Sequence, residues 1–167
     1  MTSPSEPGSV PLEELERRMR PGAFSQVGFL GPEERLEEVL DQDRQTVARL
    51  GLALAEIAVP LDALLDVAES SGGNWARLGD LDVQIELTTG FQICPWATDP
   101  HHAQCTAGGG VRHASITWQI RNHHSGGKLS GPGLIVHLIR DHGFFEGHNS
   151  PYRVDPEQLV RLLGLIS

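Results

Sequence analysis

The segment 70–74 (SSGGN) most constrains the fold, because it interrupts the apolar patterns on both sides. Two adjacent glycines among small polar residues favour a turn. Residues 11–70 before it show the apolar spacing of helices, whereas residues 75–167 show the alternation of strands, followed by two more helices. Helices, then strands, then helices predict an α+β fold and not a doubly wound parallel one.

Three helices are predicted before the turn, at residues 10–19, 32–50 and 60–70. Pro32 suits a first helical position, and the glutamates after it favour the positive end of the helix dipole. The segment 20–31 contains three glycines and a proline, which predicts an ordered loop.

The strand signals predict a small antiparallel hairpin or meander. Residues 81–88 alternate, with Val83, Ile85 and Leu87 on one face, and residues 90–94 are expected to continue this strand past a bulge. Residues 114–121 alternate equally well. The turn-forming segment 122–127 (NHHSGG) then leads into a return strand that begins at Lys128.

Two helices are predicted at the end of the chain. The first covers residues 132–142, with Ser130 as its cap and Pro132 at its start. The second covers residues 156–163, where Asp155, Pro156 and Gln158 form a capping signature.

Length and charge limit the organisation and the partners. We expect a flexible tail over residues 1–10 and a single domain over residues 11–167, with an acidic helical half (11–70) and a strand-rich half (75–167). Residues 1–70 carry 14 acids against 6 bases, so we do not expect a nucleic-acid partner. The expected partner is another protein. No stretch suggests a membrane span or a secretory signal, so we expect a cytoplasmic protein. The oligomeric state stays open.

Metal-binding residue types are concentrated in the strand-rich half. All eight histidines lie between residues 101 and 148, and the two cysteines are Cys94 and Cys105. In a reducing compartment such a pair more often binds a metal or stays free than forms a disulfide. The composition therefore points to a metal site in this half.

The sequence predicts a zinc site formed by Cys94, Cys105, His137 and His142. Zinc prefers thiolate and imidazole ligands in a tetrahedral set. The two histidines are about 140° apart on an ideal helix, and we expect them to converge where Gly143 ends the helix. The layout is similar to a Cys2His2 finger, but ten residues separate the cysteines and 31 separate Cys105 from His137, so the spacing itself is no zinc signature.

Other interpretations of these residues stay open. His137 can be a hydrogen-bonded core histidine and His142 a favourable charge at a helix end, with the cysteines as buried apolar residues. Alternatively, His137 and His142 with Glu146 or His148 form an open catalytic metal site, as in a hydrolase or lyase. A second loop cluster is possible at His101, His102 and Cys105, with His113 nearby.

A metal-free function is a third possibility. In that case the protein binds a small molecule in a pocket or acts in biosynthesis, and the pocket is lined by Trp96, Trp118, Phe144 and Tyr152. The sequence contains no catalytic signature such as a P-loop or a nucleophile elbow. We therefore favour a zinc-stabilised protein-interaction or regulatory module over either alternative.

Three segments resemble a group of small uncharacterised bacterial proteins. They are residues 19–31 (MRPGAFSQVGFLG), 90–96 (GFQICPW) and 132–156 (PGLIVHLIRDHGFFEGHNSPYRVDP). In that group a second cysteine closely follows the Cys-Pro-aromatic segment. The resemblance implies that residues 98–104 are an insertion and that Cys94 and Cys105 act together. It implies no activity.

Overall fold

A computed structural model describes residues 10–25, 27–88, 92–99, 104–105 and 113–166. The predicted tail, apart from Val10, lies outside these residues, as do His101 and His102. The described helices and strands follow the predicted order of helices, antiparallel sheet and helices, so the α+β class is confirmed. Within the described chain, none of the helices combines the length and apolar character needed to cross a bilayer.

The N-terminal half contains α1 (Leu12–Met19), α2 (Leu36–Arg49) and α3 (Leu54–Ser70). Helix α2 begins four residues later than predicted. The Glu16 carboxylate of α1 accepts the backbone N–H of Leu36 at 2.8 Å and so caps α2 there. The Glu34 carboxylate accepts the N–H groups of Gly31, His148 and Asn149, and residues 32 and 33 form a turn in place of the predicted helix.

Helix α3 begins six residues earlier than predicted, so Pro60 lies inside it and not at its start. Proline removes one hydrogen bond from a helix interior. The helix still forms because Glu56 accepts the N–H of Ala53 at its start and because α3 buries one long apolar face. The buried apolar residues of that face are Ile57, Ala58, Leu61, Leu64, Leu65 and Ala68.

The predicted turn at residues 70–74 is confirmed. Gly72 and Gly73 have φ angles of 74° and 87°, a left-handed conformation that favours glycine. The Gly73 carbonyl oxygen accepts the N–H of Ile85, which places the turn against the sheet. The break in the sequence is therefore a real change of direction between the helices and the strands.

An antiparallel sheet in the order β1-β2-β5-β6 follows the turn. Its strands are β1 (Ala76–Leu78), β2 (Leu81–Leu87), β5 (Ile116–Asn122) and β6 (Lys128–Pro132). A separate ribbon pairs β3 (Ala97–Asp99) with β4 (Gln104–Cys105). The short strands β1, β3 and β4 were not predicted, because two or three residues are too few for an alternation signal.

The alternation in β2 and β5 is confirmed in part. Ile85 pairs with Trp118, and Val83 pairs with Ile120. Val83, Trp118 and Ile120 are fully buried, whereas Leu87 at the end of β2 is 85% exposed. The predicted continuation at 90–94 is not a strand over residues 92–94, and residues 89–91 lie outside the described chain.

The C-terminal helices are α4 (Ile135–His142) and α5 (Pro156–Leu162). The prediction for α4 was wrong at its start, because β6 continues to Pro132 and Ser130 is a strand residue. Trp118 Nε1 donates to the Pro132 carbonyl at 2.9 Å, and a Cβ at Gly131 would lie 2.7 Å from that indole ring. The indole thus holds this segment extended on the sheet.

The start of α5 matches the prediction. The Asp155 carboxylate accepts the N–H of Gln158 at 3.0 Å. Buried side chains from both halves of the chain form one hydrophobic core, in which α3 packs against β2 and α4.

Candidate metal centre

The β3–β4 ribbon brings the two cysteines together. Cys94 lies in a turn in which the N–H of Ala97 donates to the Cys94 carbonyl at 2.9 Å, and Cys105 pairs with Ala97 across the ribbon. The cysteines are free thiols, and only 0% and 5% of their surfaces are exposed. Two thiols separated by ten residues in sequence therefore meet at one buried place.

Arg18 of α1 fixes the turn that contains Cys94. This contact was not predicted. Its guanidinium Nη1 donates to the carbonyl oxygens of Pro95 and Ala97 at 2.8 and 2.7 Å. Glu14 accepts from the same side chain at 3.1 Å. Hydrogen bonds from a cation to buried carbonyls are strong, so α1 holds this turn in place.

The two histidines of α4 do converge, as predicted. Gly143 ends the helix in the left-handed conformation, and its N–H donates to the Ile139 carbonyl. The rings of His137 and His142 meet edge to face, with centroids 4.9 Å apart. The predicted angular separation along the helix therefore does not keep the rings apart.

Cys94, Cys105, His137 and His142 form one group, which we call the thiol cluster. Their ligand atoms all lie within 4.8 Å of one another. His142 Nε2 is 3.5 Å from the Cys94 sulfur and 3.3 Å from the Cys105 sulfur. In tetrahedral zinc, bonds of about 2.3 Å to sulfur and about 2.0 Å to nitrogen give S···N separations of roughly 3.5 Å. The arrangement can hold a metal ion.

His137 is oriented for coordination. Its Nδ1 is 2.7 Å from an Asp141 carboxylate oxygen, one helical turn further on. Its Nε2 is buried and has no hydrogen-bond partner within the described chain. Metal-binding histidines commonly donate one ring N–H to a carboxylate and offer the other nitrogen to the ion. A simple core histidine explains the first contact but leaves the second nitrogen unsatisfied.

His142 is held beside the sulfurs by Trp96, whose indole stacks on it with centroids 4.1 Å apart and planes 6° apart. Burial, and then the nearby His137, lower the pKa of His142 to about 4. The ring is therefore neutral at physiological pH, the form that ligates metals. A neutral ring favours the interpretation of His142 as a ligand over that of a charge at the helix end.

The thiols respond to the same burial. Burial, and then the neighbouring Cys105, raise the pKa of Cys94 well above its usual range. Burial alone therefore favours the neutral thiols, whereas a bound cation stabilises the thiolates. Metal binding at the thiol cluster is therefore coupled to proton release.

Asp141 is the acidic partner of the cluster. Burial favours a higher pKa for Asp141, but hydrogen bonds and charge from Arg140 and His137 bring the pKa below its ordinary value. The sequence did carry a signal for this contact, since Asp141 follows His137 by four residues on one helix.

Glu146 and His148 lie outside the thiol cluster. Glu146 is fully buried at φ 66°, and its side chain contacts Ser150 at 3.4 Å. Burial raises the pKa of Glu146 well above its ordinary value. The ring of His148 lies 3.8 Å from Asp43. Neither residue is placed to complete an open metal site with His137 and His142.

His113 belongs to a different group, which we call the carboxylate cluster, with Asp62, Asp66 and Glu69 of α3. Its Nδ1 is 2.6 Å from Glu69, and its Nε2 is 3.0 Å from Asp62 and 3.7 Å from Asp66. His113 therefore contacts acids of α3, although the sequence placed it near the possible loop cluster of His101, His102 and Cys105. His101 and His102 lie outside the described residues.

The four aromatic residues suggested for a metal-free pocket do not line one together. Trp118 and Phe144 are fully buried in the core, Trp96 covers His142, and 41% of Tyr152 is exposed. The aromatic side chains thus serve packing and the thiol cluster.

Comparison with known proteins returns no match. No family model, no curated protein and no solved structure matches this chain. The resemblance to small bacterial proteins stays a prediction.

Proposed function

We propose that this chain is a zinc-stabilised module that binds another protein or acts in regulation, without catalysis of its own. The observation that carries the proposal is the thiol cluster, in which two thiols and two imidazoles lie within coordination reach of one another. This ligand set favours zinc over the hard cations Mg²⁺ and Ca²⁺. Four protein ligands fill tetrahedral zinc and leave no position for a reactive water.

The position of the cluster supports a structural role. It joins the ribbon, which α1 holds through Arg18, to the end of α4. Cys94, Cys105 and His137 are buried, and only His142 is half-buried. An ion there would cross-link segments that are far apart in sequence, so its binding energy would contribute directly to folding.

The interaction role is supported by the surface of the helical half. Residues 1–70 carry 14 acids against 6 bases, and Val59 on α3 is 60% exposed. An acidic surface with an exposed apolar residue suits a basic protein partner.

The metal part is tested by elemental analysis of full-length protein purified without an affinity tag. We expect about one zinc per chain and a lower melting temperature after chelation. Less than half an equivalent of zinc, together with an unchanged melting temperature, contradicts the proposal.

A metal-dependent hydrolase or lyase is the second candidate. In it the ion would keep an open position towards the surface cavity that His142 lines. Cobalt(II) substitution separates the two. A closed four-ligand site gives a tetrahedral visible spectrum that azide does not change, since no position is open. A spectrum that shifts on adding azide favours the enzyme.

A further inference from the structure

A cavity of about 420 Å³ opens where α2, the turn between α2 and α3, and the end of α4 meet. This volume lies within the range of small-molecule sites. Its wall is mainly aliphatic, and its polar residues include an arginine and a histidine of the thiol cluster. The residues that matter here are Leu40, Arg44, Val47, Leu52, Leu54 and His142.

Arg44 is the cation of this cavity and is available to a ligand. Its ion pair within the described chain is with Asp41 at 3.9 Å, and the side chains are 75% and 58% exposed. Such an exposed and long pair contributes little, so the guanidinium donors are free to exchange partners. The acid in the wall, Asp141, is already engaged by His137 and Arg140.

We propose that this cavity binds a small carboxylate that carries an aliphatic chain. A guanidinium binds a carboxylate through two parallel hydrogen bonds, which selects the anion over a neutral group of the same size. The chain would then lie along the leucine and valine wall, away from water. The carboxylate and the chain thus use the two kinds of surface that the cavity offers.

Methyl NMR on the full-length protein tests this with hexanoate and its neutral analogue hexanamide. We expect saturable shifts for the methyl groups of Leu40, Val47, Leu52 and Leu54, with hexanoate binding roughly tenfold more tightly than hexanamide. Arg44→Gln should remove that difference. Arg49→Gln is the matched control, because Arg49 lies on the same helix with 62% of its side chain exposed.

The proposal is overturned if hexanoate gives no saturable shift, if acid and amide bind equally, or if Arg44→Gln binds hexanoate as the unmodified protein does. Zinc content is measured in the same samples, because the inference does not depend on the metal. Zinc-free protein that binds hexanoate contradicts only the proposed function, and zinc-loaded protein that does not bind it contradicts only this inference.

Discussion

The thiol cluster and the carboxylate cluster both bury an imidazole, but they differ in what satisfies its ring nitrogens. Both nitrogens of His113 face carboxylates, and only 1% of its side chain is exposed. In the thiol cluster, His137 Nε2 has no such partner among the described residues.

Two groups of side chains with equally close ligand atoms can therefore differ in their chemistry. Asp62, Asp66 and His113 also have ligand atoms within 4.8 Å of one another. There each ring nitrogen of His113 already lies beside a carboxylate, and Asp62 and Asp66 are partly exposed to water. The thiol cluster is largely buried, and a metal ion could give its four ligand atoms a common partner.

The largest expected effect comes from removing a thiol. Cys94→Ser should abolish stoichiometric zinc binding and lower the free energy of unfolding by about 4 kcal/mol, because the ion and its cross-link are both lost. Elemental analysis and denaturant unfolding measure the two effects. Zinc retained at full occupancy would show that the thiol cluster is not the site.

A variant in the carboxylate cluster should lose stability but keep its zinc. His113→Ala should lower the free energy of unfolding by about 3 kcal/mol, since it leaves carboxylates of α3 without their buried hydrogen-bond partner. Zinc content should stay unchanged. The same unfolding and elemental measurements apply, and loss of zinc in this variant would contradict the separation of the two clusters.

Much of the fold was predictable because it depends on local patterns. The alternation around Val83 and Trp118, the turn at Gly72 and the Asp155 cap are all properties of neighbouring residues. The start of α2 was predicted wrongly because a distant side chain decides it. Glu16 of α1 caps α2 at Leu36, and since the two residues lie on different helices, no short window of sequence reveals that contact.

The candidate site divides in the same way. The cysteine and histidine ligands could be named from the composition. The convergence of His137 and His142 follows from the helix and its terminal glycine. The pairing of His137 with Asp141 was open to prediction from their spacing, but it was missed. Arg18 carried no local signal, because it reaches Pro95 across 77 positions of the chain.

A smaller effect is expected when the acid beside each histidine is replaced by its amide, because only one of the two replacements should change zinc affinity. Asp141→Asn should weaken zinc binding by roughly 10- to 100-fold, because the orienting partner of His137 loses its charge. Asp62→Asn is the matched substitution beside His113 and should leave zinc affinity unchanged. Competition with a chromophoric chelator measures the affinities. Equal weakening in both variants would indicate a general loss of stability and no specific positioning by Asp141.

The smallest effect concerns Glu146, a buried carboxyl that has neither an imidazole nor a metal ligand among its described contacts. Burial raises the pKa of Glu146 above that of the unfolded chain, so the folded state binds the proton more tightly. Its contribution to stability is therefore complete below about pH 4.5 and is lost as the pH rises towards the folded pKa, by at most about 1.4 kcal/mol per pH unit.

Glu146→Gln keeps the shape of the side chain and removes this proton linkage. We expect the variant to be more stable than the unmodified protein by about 1 kcal/mol at pH 7, and to show no advantage at pH 4. Thermal unfolding of both proteins across this pH interval measures the difference. Asp62→Asn serves as the contrast, because it removes a carboxylate that His113 already stabilises and should lower stability at pH 7. If the Glu146→Gln variant is less stable at pH 7 but not at pH 4, the ionised Glu146 carboxylate has a favourable partner, and the prediction is wrong.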